Sequence, residues 1–316
     1  MATVSRVINH VPSVAPELNQ RVWEAIRKLG YVPNTQARAL VSGRSRLLGV
    51  IISDITNPFF PELIQGFEDK AVELGYETLI GSTNYDLSRM ELCVQRMLQR
   101  KVDGVAVMTF GIEEPLLDRL ASQGIPMVFI DLAPQKKNIS TIPVNYEKGI
   151  SEAVQHLAAL GHRNIAFIAG PKHLHSAKAR LRAFRSATQS VGIGASSRQI
   201  HYGDHTMEGG TKMMESILQQ EKRPTAIMCS NDMTAIGAMH AISRAGLSIP
   251  KDMSLIGFDD IRLATFMLPP LTTIRMSGRD IAETAVNALV TRDATISRVE
   301  TQLIVRQTTS RPPEPQ

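Results

Sequence analysis

From Leu47 onward, short apolar runs alternate with amphipathic stretches. The apolar runs predict buried strands at 47–52, 77–81, 104–108, 127–130, 164–169, 199–202, 225–229 and 253–258. The amphipathic stretches predict helices at 61–74, 88–100, 113–122, 147–160, 177–190, 208–220, 232–245 and 277–290. Such alternation is typical of an α/β fold in which helices cover both faces of doubly wound parallel sheets.

The pattern before Leu47 contains helices and no strand. A helix is predicted over 2–9 and a second over 17–29, where one apolar stripe ends at Gly30. A third helical stretch covers 35–41. Two helices and a short third bury little apolar surface, so this all-α module is predicted to be incomplete at its N-terminus.

The distribution of charged residues divides the chain into the same two parts, before and after Leu47. The 316 residues include 35 Lys and Arg against 30 Asp and Glu, a net charge of +5. Residues 1–46 contain seven basic and two acidic residues, so the whole excess lies there and the rest is neutral. A basic module on a neutral body indicates a nucleic-acid partner. The alternative is chance clustering on a solvated helix face.

Several classes of function lack their motifs. Cys93 and Cys229 form no CxxC pair, so no metal or redox site is expected, and a reducing cytoplasm is the simplest compartment. No secretory signal or membrane-spanning apolar run is visible. GxGxxG, GxxxxGK[ST] and GxSxG are absent, which argues against an enzyme.

The stretch ATVSRVIN has the pattern of a recognition helix. Its apolar residues share one face, at Val4, Val7 and Ile8. The side chains that could reach DNA are Thr3, Ser5, Arg6 and Asn9. Arginine pairs with guanine, while short polar side chains contact phosphates or base edges. Eight residues alone are equally compatible with structural packing.

The following block makes the pattern specific. MATVSRVINHVPSVAPELNQRVWEAIRKLGYVPNTQARAL resembles the DNA-binding end of LacI/GalR-type bacterial transcriptional regulators, with TVSRVIN, RVWEAIRKLGY and YVPNTQARAL in the family's order. The resemblance continues through GVIISDITNPFF, KVDGVAVM, GIPMVFID, HLAALGHRNIAFIAG, RPTAIMCSNDMTAIGAM, PKDMSLIGFDD and PPLTTI. It covers the chain to about Arg311.

The resemblance implies a helix-turn-helix head and hinge helix at 1–46, apparently without the family's first helix. A two-lobed effector-binding and dimerisation domain at 47–311, similar to periplasmic binding proteins, and a tail at 312–316 would follow. The implied N-lobe covers about 47–145 and 275–295, and the C-lobe covers about 146–272 and 296–311.

The same resemblance assigns DNA contacts. Thr3, Ser5, Arg6 and Asn9 would lie on the recognition helix, where relatives vary the positions of Met1 and Ala2 to select bases. In the hinge, phosphate or minor-groove contacts are implied for Asn34, Gln36, Ala37 and Arg38. Leu40 would be the apolar wedge that kinks DNA, the alternative being an ordinary helix-face leucine.

Polar residues follow the strands, where doubly wound folds bind ligands. Taking strand ends and resemblance together, the expected effector-binding residues are Asn57, Phe59, Phe60, Asp131, Arg180, His205, Asn231 and Asp259. Asp232 is expected to cap the next helix, Asp260 to be structural, and Arg182 to face helix neighbours or solvent. His173 and His175 lack a third ligand, so a cleft rim is favoured over a metal site.

The effector is expected to be a sugar, sugar acid, phosphosugar or purine, with no cofactor. An anionic effector is favoured because His205 replaces a large ring and lies near Arg180 and Lys178 in the expected cleft. Asn145-Tyr146 replaces the family's Asp-Asn and removes a carboxylate, which favours the same class.

These observations predict a ligand-responsive repressor that binds a pseudopalindromic operator as a homodimer. No heptads follow Arg306, so no tetramer-forming zipper is expected. The alternative is a small-molecule-binding protein without DNA binding, if the head is truly truncated. An α/β enzyme is disfavoured by the missing motifs.

Overall fold

The computed structural model describes residues 2–8, 14–31, 43–109, 114–131, 138–194, 196–291 and 296–314. The chain divides into two compact units, residues 1–46 and residues 47–316.

The described part of the first unit contains α1 (Ala2–Ile8) and α2 (Pro16–Leu29). Pro16 suits the first turn of α2 because the N–H that proline lacks would have no helical partner there. The helix ends at Gly30, which has a left-handed φ of 59° and donates its N–H to the Arg27 carbonyl. Val7 is buried, whereas α2 has no buried residue, so little core lies within the described residues of this unit.

The second unit begins with a parallel five-stranded sheet in the order β2-β1-β3-β4-β5. Its strands are β1 (Leu47–Ile52), β2 (Glu77–Ser82), β3 (Gly104–Met108), β4 (Met127–Ile130) and β5 (Ile139–Ile142). The helices between them are α3 (Phe59–Glu73), α4 (Leu87–Gln99) and α5 (Glu114–Ser122). All residues of β3 and β4 are buried, as expected for strands that are covered on both faces. We call this part the N-lobe.

A seven-stranded sheet in the order β6-β12-β11-β10-β9-β7-β8 forms the C-lobe. Its strands are β6 (Val144–Asn145), β7 (Ile165–Ala169), β8 (Ile200–Tyr202), β9 (Ala226–Cys229), β10 (Ser254–Asp259), β11 (Thr272–Met276) and β12 (Val299–Ile304). Its helices are α6 (Tyr146–Leu160), α7 (His175–Ser190), α8 (Met207–Leu218), α9 (Asp232–Arg244) and α10 (Arg262–Phe266). Only the pairing of β11 with β12 is antiparallel among the described strands.

The chain passes between the lobes more than once. It first crosses between β5 and β6, and after β11 it returns to the N-lobe as α11 (Gly278–Thr291), which packs against α3. Strand β12 then pairs again within the C-lobe sheet. These crossings bring the carboxyl ends of both sheets to one cleft.

All eight predicted strands are present, but β5, β6, β11, β12 and the short α10 were not predicted. Buried threonines explain part of the difference, because they make β11 and β12 look polar in sequence. Thr272, Thr273 and Thr301 are fully buried. The Thr273 hydroxyl donates to Asp232 and the Thr301 hydroxyl to the Asn145 carbonyl. Residues distant in sequence therefore satisfy these polar groups, and local pattern cannot reveal them.

Candidate functional site: an inter-lobe effector cleft and a DNA-binding head

A cleft between the lobes encloses about 560 Å³, including space open to solvent. Its lining combines strand-end residues of both sheets: Ser53, Asn57, Phe59, Phe60, Leu63, Tyr85, Met108, Ile130, Tyr146, Leu174, Ser176, Arg180, His205, Asn231, Asp259 and Met276. Seven of the eight expected effector residues line it. The eighth, Asp131, binds a lining side chain and is considered below.

The polar side of the cleft, which we call the polar wall, is formed by Arg180, His205, Asn231 and Asp259, with Arg180 at its centre. It is 5% exposed and projects from α7, where its guanidinium donates to the Ser230 carbonyl and lies 3.4 Å from Asp259. The guanidinium carbon lies 3.9 Å from the centre of the Phe258 ring. Its Nε is buried and has no hydrogen-bond partner among the described residues. Arg180 is therefore held in place by its two terminal nitrogens, and its Nε donor is left without a protein partner.

Asp259 ends β10 with a left-handed φ of 109°. Burial raises the pKa of its carboxyl to about 7, although the neighbouring Arg180 partly offsets this effect. The site thus contains an acceptor that is close to its titration point at neutral pH.

His205 faces the cleft with a buried Nε2 that has no partner among the described residues. Its ring packs against Gly170, where an added Cβ would lie 1.9 Å from that Nε2. Burial, followed by the nearby Arg180, lowers the pKa of His205 to about 3. The imidazole is therefore neutral at physiological pH.

These charges do not support the argument for an anionic effector. His205 is neutral, Arg180 is paired with Asp259 and balanced by it when that carboxyl is ionised, and Lys178 is exposed and outside the lining. Asn145 caps α6 and binds Glu300, so its side chain is already engaged outside the lining. The sequence argument treated His205 and Arg180 as free positive charges, whereas the first is neutral and the second has a carboxyl partner.

Asn57, Phe59 and Phe60 form the apolar wall at the start of α3. The Asn57 side-chain oxygen accepts the Phe59 N–H at 3.1 Å, which orders the turn. The two phenyl rings meet edge to face with centroids 5.4 Å apart, and each side chain is 8% exposed. The wall therefore presents a largely fixed apolar surface.

Helix α9 begins at the cleft, with Asn231 directly before it and Asp232 as its first residue. Asn231 is the cap, since its side-chain oxygen accepts the Thr234 N–H and its amide donates to the His205 carbonyl. The prediction that Asp232 caps this helix is wrong. Asp232 is fully buried and accepts from the Ile261 N–H and the Thr273 hydroxyl. The Asp232 side chain at the start of α9 thus links this helix to Ile261 and to β11.

Two further expectations about charged residues agree with the structure. Asp260 accepts from Arg275 at 2.7 Å and Arg306 at 2.6 Å, which supports a structural role. Arg182, two residues after the buried Arg180 and therefore on another face of α7, is exposed.

The eight expected effector residues leave out four polar residues that line the cleft, Ser53, Tyr85, Tyr146 and Ser176. Ser53 follows β1 and donates to Thr109 at 2.7 Å, while Tyr85 follows β2 with a left-handed φ of 56°. The position of Ser53 and Tyr85 after strands was a usable signal. Tyr146 also follows a strand, but the two-residue β6 was not predicted from the sequence pattern.

The described residues show no group of His, Cys, Asp and Glu that could hold a metal ion. Leu174 lines the cleft between an exposed His173 and a half-buried His175, as a rim would require. Within the described ranges, no helix has the length and apolar character needed to cross a membrane.

In the first unit, the side chains of Thr3 and Arg6 on α1 are exposed. Ser5 lies on the same helix. The expected contacts Asn9, Asn34, Gln36, Ala37, Arg38 and Leu40 lie outside the described residues.

Two families match this chain. "Bacterial regulatory proteins, lacI family" matches residues 1–34, and "Periplasmic binding protein-like domain" matches residues 154–309. Catabolite control protein A of Priestia megaterium is 33% identical over 98% of this chain and 95% of its own length. Relatedness therefore extends over both units.

Solved structures of related regulators match this chain over nearly its whole length. The lac repressor dimer bound to operator and the anti-inducer ONPF superposes with a TM-score of 0.85 and 27% identity, covering 98% of this chain and 95% of that one. The complex of transcriptional regulator CelR with cellobiose has a TM-score of 0.76 and 26% identity, covering 97% and 95%. The chain belongs to the lacI family of bacterial regulatory proteins and is a ligand-responsive, DNA-binding repressor whose partners are operator DNA, a small-molecule effector and a second copy of itself.

Proposed function

We propose that the effector of this repressor is a neutral polyhydroxylated molecule of the sugar class, bound in the inter-lobe cleft. The observation that carries the proposal is the buried pair of Arg180 and Asp259 beside a neutral His205. With Asp259 ionised, this wall offers hydrogen-bond donors and acceptors without an excess positive charge. A sugar acid or phosphosugar would need a cation that is not already paired.

The partnerless atoms define the ligand chemistry further. Arg180 Nε donates only, while the neutral His205 Nε2 donates or accepts according to its tautomer. A hydroxyl group both donates and accepts, so it matches the Arg180 Nε donor and also His205 Nε2 when the imidazole turns away from Gly170. The apolar faces of Phe59 and Phe60 would cover the C–H surface of the ring. The cellobiose bound to CelR belongs to this ligand class.

A purine is the competing class. Purines favour a flat aromatic surface, but Phe59 and Phe60 are inclined at 77° to each other and form no pair of parallel walls. This geometry favours a saturated ring.

We further propose that effector binding changes the relative orientation of the lobes and thereby the operator affinity of the heads. Thr3, Ser5, Arg6 and Asn9 would contact bases or phosphates. Asn34, Gln36, Ala37, Arg38 and Leu40 would serve as the hinge contacts. Linkage then requires operator and effector to change each other's affinity by the same factor. Because operator DNA lies in the bacterial cytoplasm, we propose that the protein acts there.

The test is a thermal-shift screen with ribose, glucose and cellobiose against gluconate, glucose 6-phosphate and hypoxanthine. Hits are titrated by calorimetry with Arg180→Met and, as a matched control, Arg182→Met. A neutral sugar should bind, with affinity lost in Arg180→Met and kept in Arg182→Met. Exclusive binding of a charged ligand or of hypoxanthine would contradict the proposed effector class.

A further inference from the structure

We infer that Tyr146 is a positioning residue that fastens the N-lobe to the C-lobe through Asp131 and thereby holds Arg180 in its ligand-binding place. The inference rests on the proposed effector cleft but concerns its closure. Tyr146 is 5% exposed and lines the cleft, and its hydroxyl donates to the Asp131 carboxylate at 2.5 Å. We call this contact the inter-lobe bond.

The two partners belong to different lobes. Asp131 directly follows β4 of the N-lobe sheet, whereas Tyr146 begins α6 directly after β6 of the C-lobe sheet. The chain crosses between the lobes at residue 143, so Tyr146 lies close to the crossing. A rotation of the lobes about this crossing would separate the hydroxyl from the carboxylate. We therefore expect the inter-lobe bond to favour the arrangement of the lobes in this structure, which we call the closed arrangement.

The Tyr146 ring lies beside Arg180 and so joins the inter-lobe bond to the polar wall of the cleft. Its centroid lies 5.2 Å from the Arg180 guanidinium carbon and 5.9 Å from the centroid of Phe258. Arg180 is thus flanked by two rings while Ser230 and Asp259 hold its nitrogens. Loss of the Tyr146 hydroxyl would release one of these rings from its fixed position.

The buried position of the Asp131 carboxyl makes its hydrogen bond with Tyr146 important for the closed arrangement. Burial raises the pKa of this carboxyl, while the Tyr146 hydrogen bond opposes the shift. The Val144 N–H also bonds to this carboxyl, so loss of the phenol would leave a buried carboxyl with fewer donors and a higher desolvation cost. In an open arrangement water could replace the phenol. The closed arrangement therefore depends on the Tyr146 hydroxyl more strongly than the open one does.

The test measures the distance between the lobes directly. Spin labels are attached to cysteines introduced at Val72 in the N-lobe and Ser216 in the C-lobe, both exposed. The native Cys93 and Cys229 are buried, and protein without the added cysteines controls for their labelling. Double electron–electron resonance is recorded on the full chain, without ligand and with cellobiose or ribose.

Three variants separate a role in closure from a role in folding. Tyr146→Phe keeps the ring and removes the hydroxyl, and it should shift the distance distribution toward longer, broader values. Asp131→Asn keeps an acceptor oxygen and should retain the wild-type distribution. Asp131→Ala should resemble Tyr146→Phe, and combining these two changes should add little. Affinity for a bound sugar should fall about tenfold in Tyr146→Phe.

A Tyr146→Phe protein with wild-type inter-lobe distances and wild-type melting temperature would overturn the inference. So would an Asp131→Asn protein that opens as far as Asp131→Ala. If neither sugar binds wild-type protein, the proposed effector class loses support, whereas the ligand-free distances still decide the role of Tyr146.

Discussion

Arg180 has a side chain whose packing and ligand chemistry are closely linked. Its guanidinium is stacked on Phe258, bonded to the Ser230 carbonyl and paired with Asp259, all within the closed cleft. This arrangement orients the remaining Nε donor before a ligand arrives. Preorganisation of this kind lowers the entropic cost of binding.

The position of His205 can be tested through the glycine beneath it. Gly170→Ala would place a Cβ 1.9 Å from His205 Nε2 and push the ring into the cleft. We expect the affinity for the effector to fall at least tenfold, measured by calorimetry. Gly203→Ala is the matched control, because its Cβ would meet no atom closer than 3.5 Å. Equal affinities in the two variants would contradict the placement of His205.

The carboxyl of Asp259 predicts a pH dependence of effector binding. Its pKa is raised to about 7, and sugar hydroxyls donate to its ionised form. Binding should therefore strengthen by about tenfold from pH 6 to pH 8, as the ionised fraction rises. Calorimetry at three pH values measures this change. Asp259→Asn should bind weakly with a flat profile, and the exposed Asp204→Asn should keep the wild-type slope. A wild-type affinity independent of pH would exclude Asp259 as the acceptor.

At the scale of elements, the segment after β12 is fastened to the C-lobe by side chains from distant positions. His162 is fully buried, and its ring lies 2.8 Å from the Thr225 hydroxyl and 2.9 Å from the Ser310 carbonyl. His156 on α6 contacts Thr309 at 2.9 Å. Two histidines therefore hold one terminal segment.

We expect His162→Ala to lower the free energy of unfolding by about 2–4 kcal/mol, because it leaves a cavity and unpartnered polar groups. Burial lowers the pKa of His162 below its usual 6.5 in the folded protein. The folded state therefore disfavours protonation, and stability should be complete above pH 6.5 and fall as the solution becomes more acidic.

Urea unfolding between pH 5 and pH 8 measures both effects. The variant should lose part of the acid sensitivity of the wild type. His156→Ala, with one side-chain contact at a half-buried position, should cost less. A larger loss in His156→Ala than in His162→Ala would show that the terminal segment depends mainly on α6.

At the scale of the whole molecule, the two units differ in net charge and in the charge of the ligand that each is expected to bind. The net charge of +5 lies within residues 1–46, whereas the larger unit is neutral and its cleft pairs its buried charges. Binding of operator and binding of effector should therefore respond differently to salt.

We expect operator affinity to fall by at least tenfold between 50 and 200 mM salt, because phosphate contacts release counterions. Affinity for a neutral effector should change little over the same range. Fluorescence anisotropy with DNA from the gene's upstream region and calorimetry with the effector measure the two responses. Arg6→Ala should reduce the salt slope for DNA and leave the effector titration unchanged. DNA binding that is insensitive to salt would contradict this assignment.

The order of strands and helices was largely readable from the local pattern, because buried parallel strands are continuous apolar runs. Strands such as β11 were missed because their buried threonines find partners elsewhere, as Thr273 does in Asp232. The cleft residues at strand ends were predictable for a related reason, since parallel strands end on one side of a sheet. Tyr146 was missed because the two-residue β6 before it was not predicted, and it reaches the cleft only after the chain has crossed between lobes.

The sequence by itself determined the family, the basic character of the head and the residues Arg180, His205 and Asp259 at the cleft. These depend on residue type and on spacing along the chain. Only the tertiary structure decided the charge of that cleft. Arg180 and Asp259 are 79 positions apart but meet at 3.4 Å, and burial leaves His205 neutral. Pairing and desolvation depend on neighbours in space, so our proposal of a neutral effector depends on contacts that the sequence does not show.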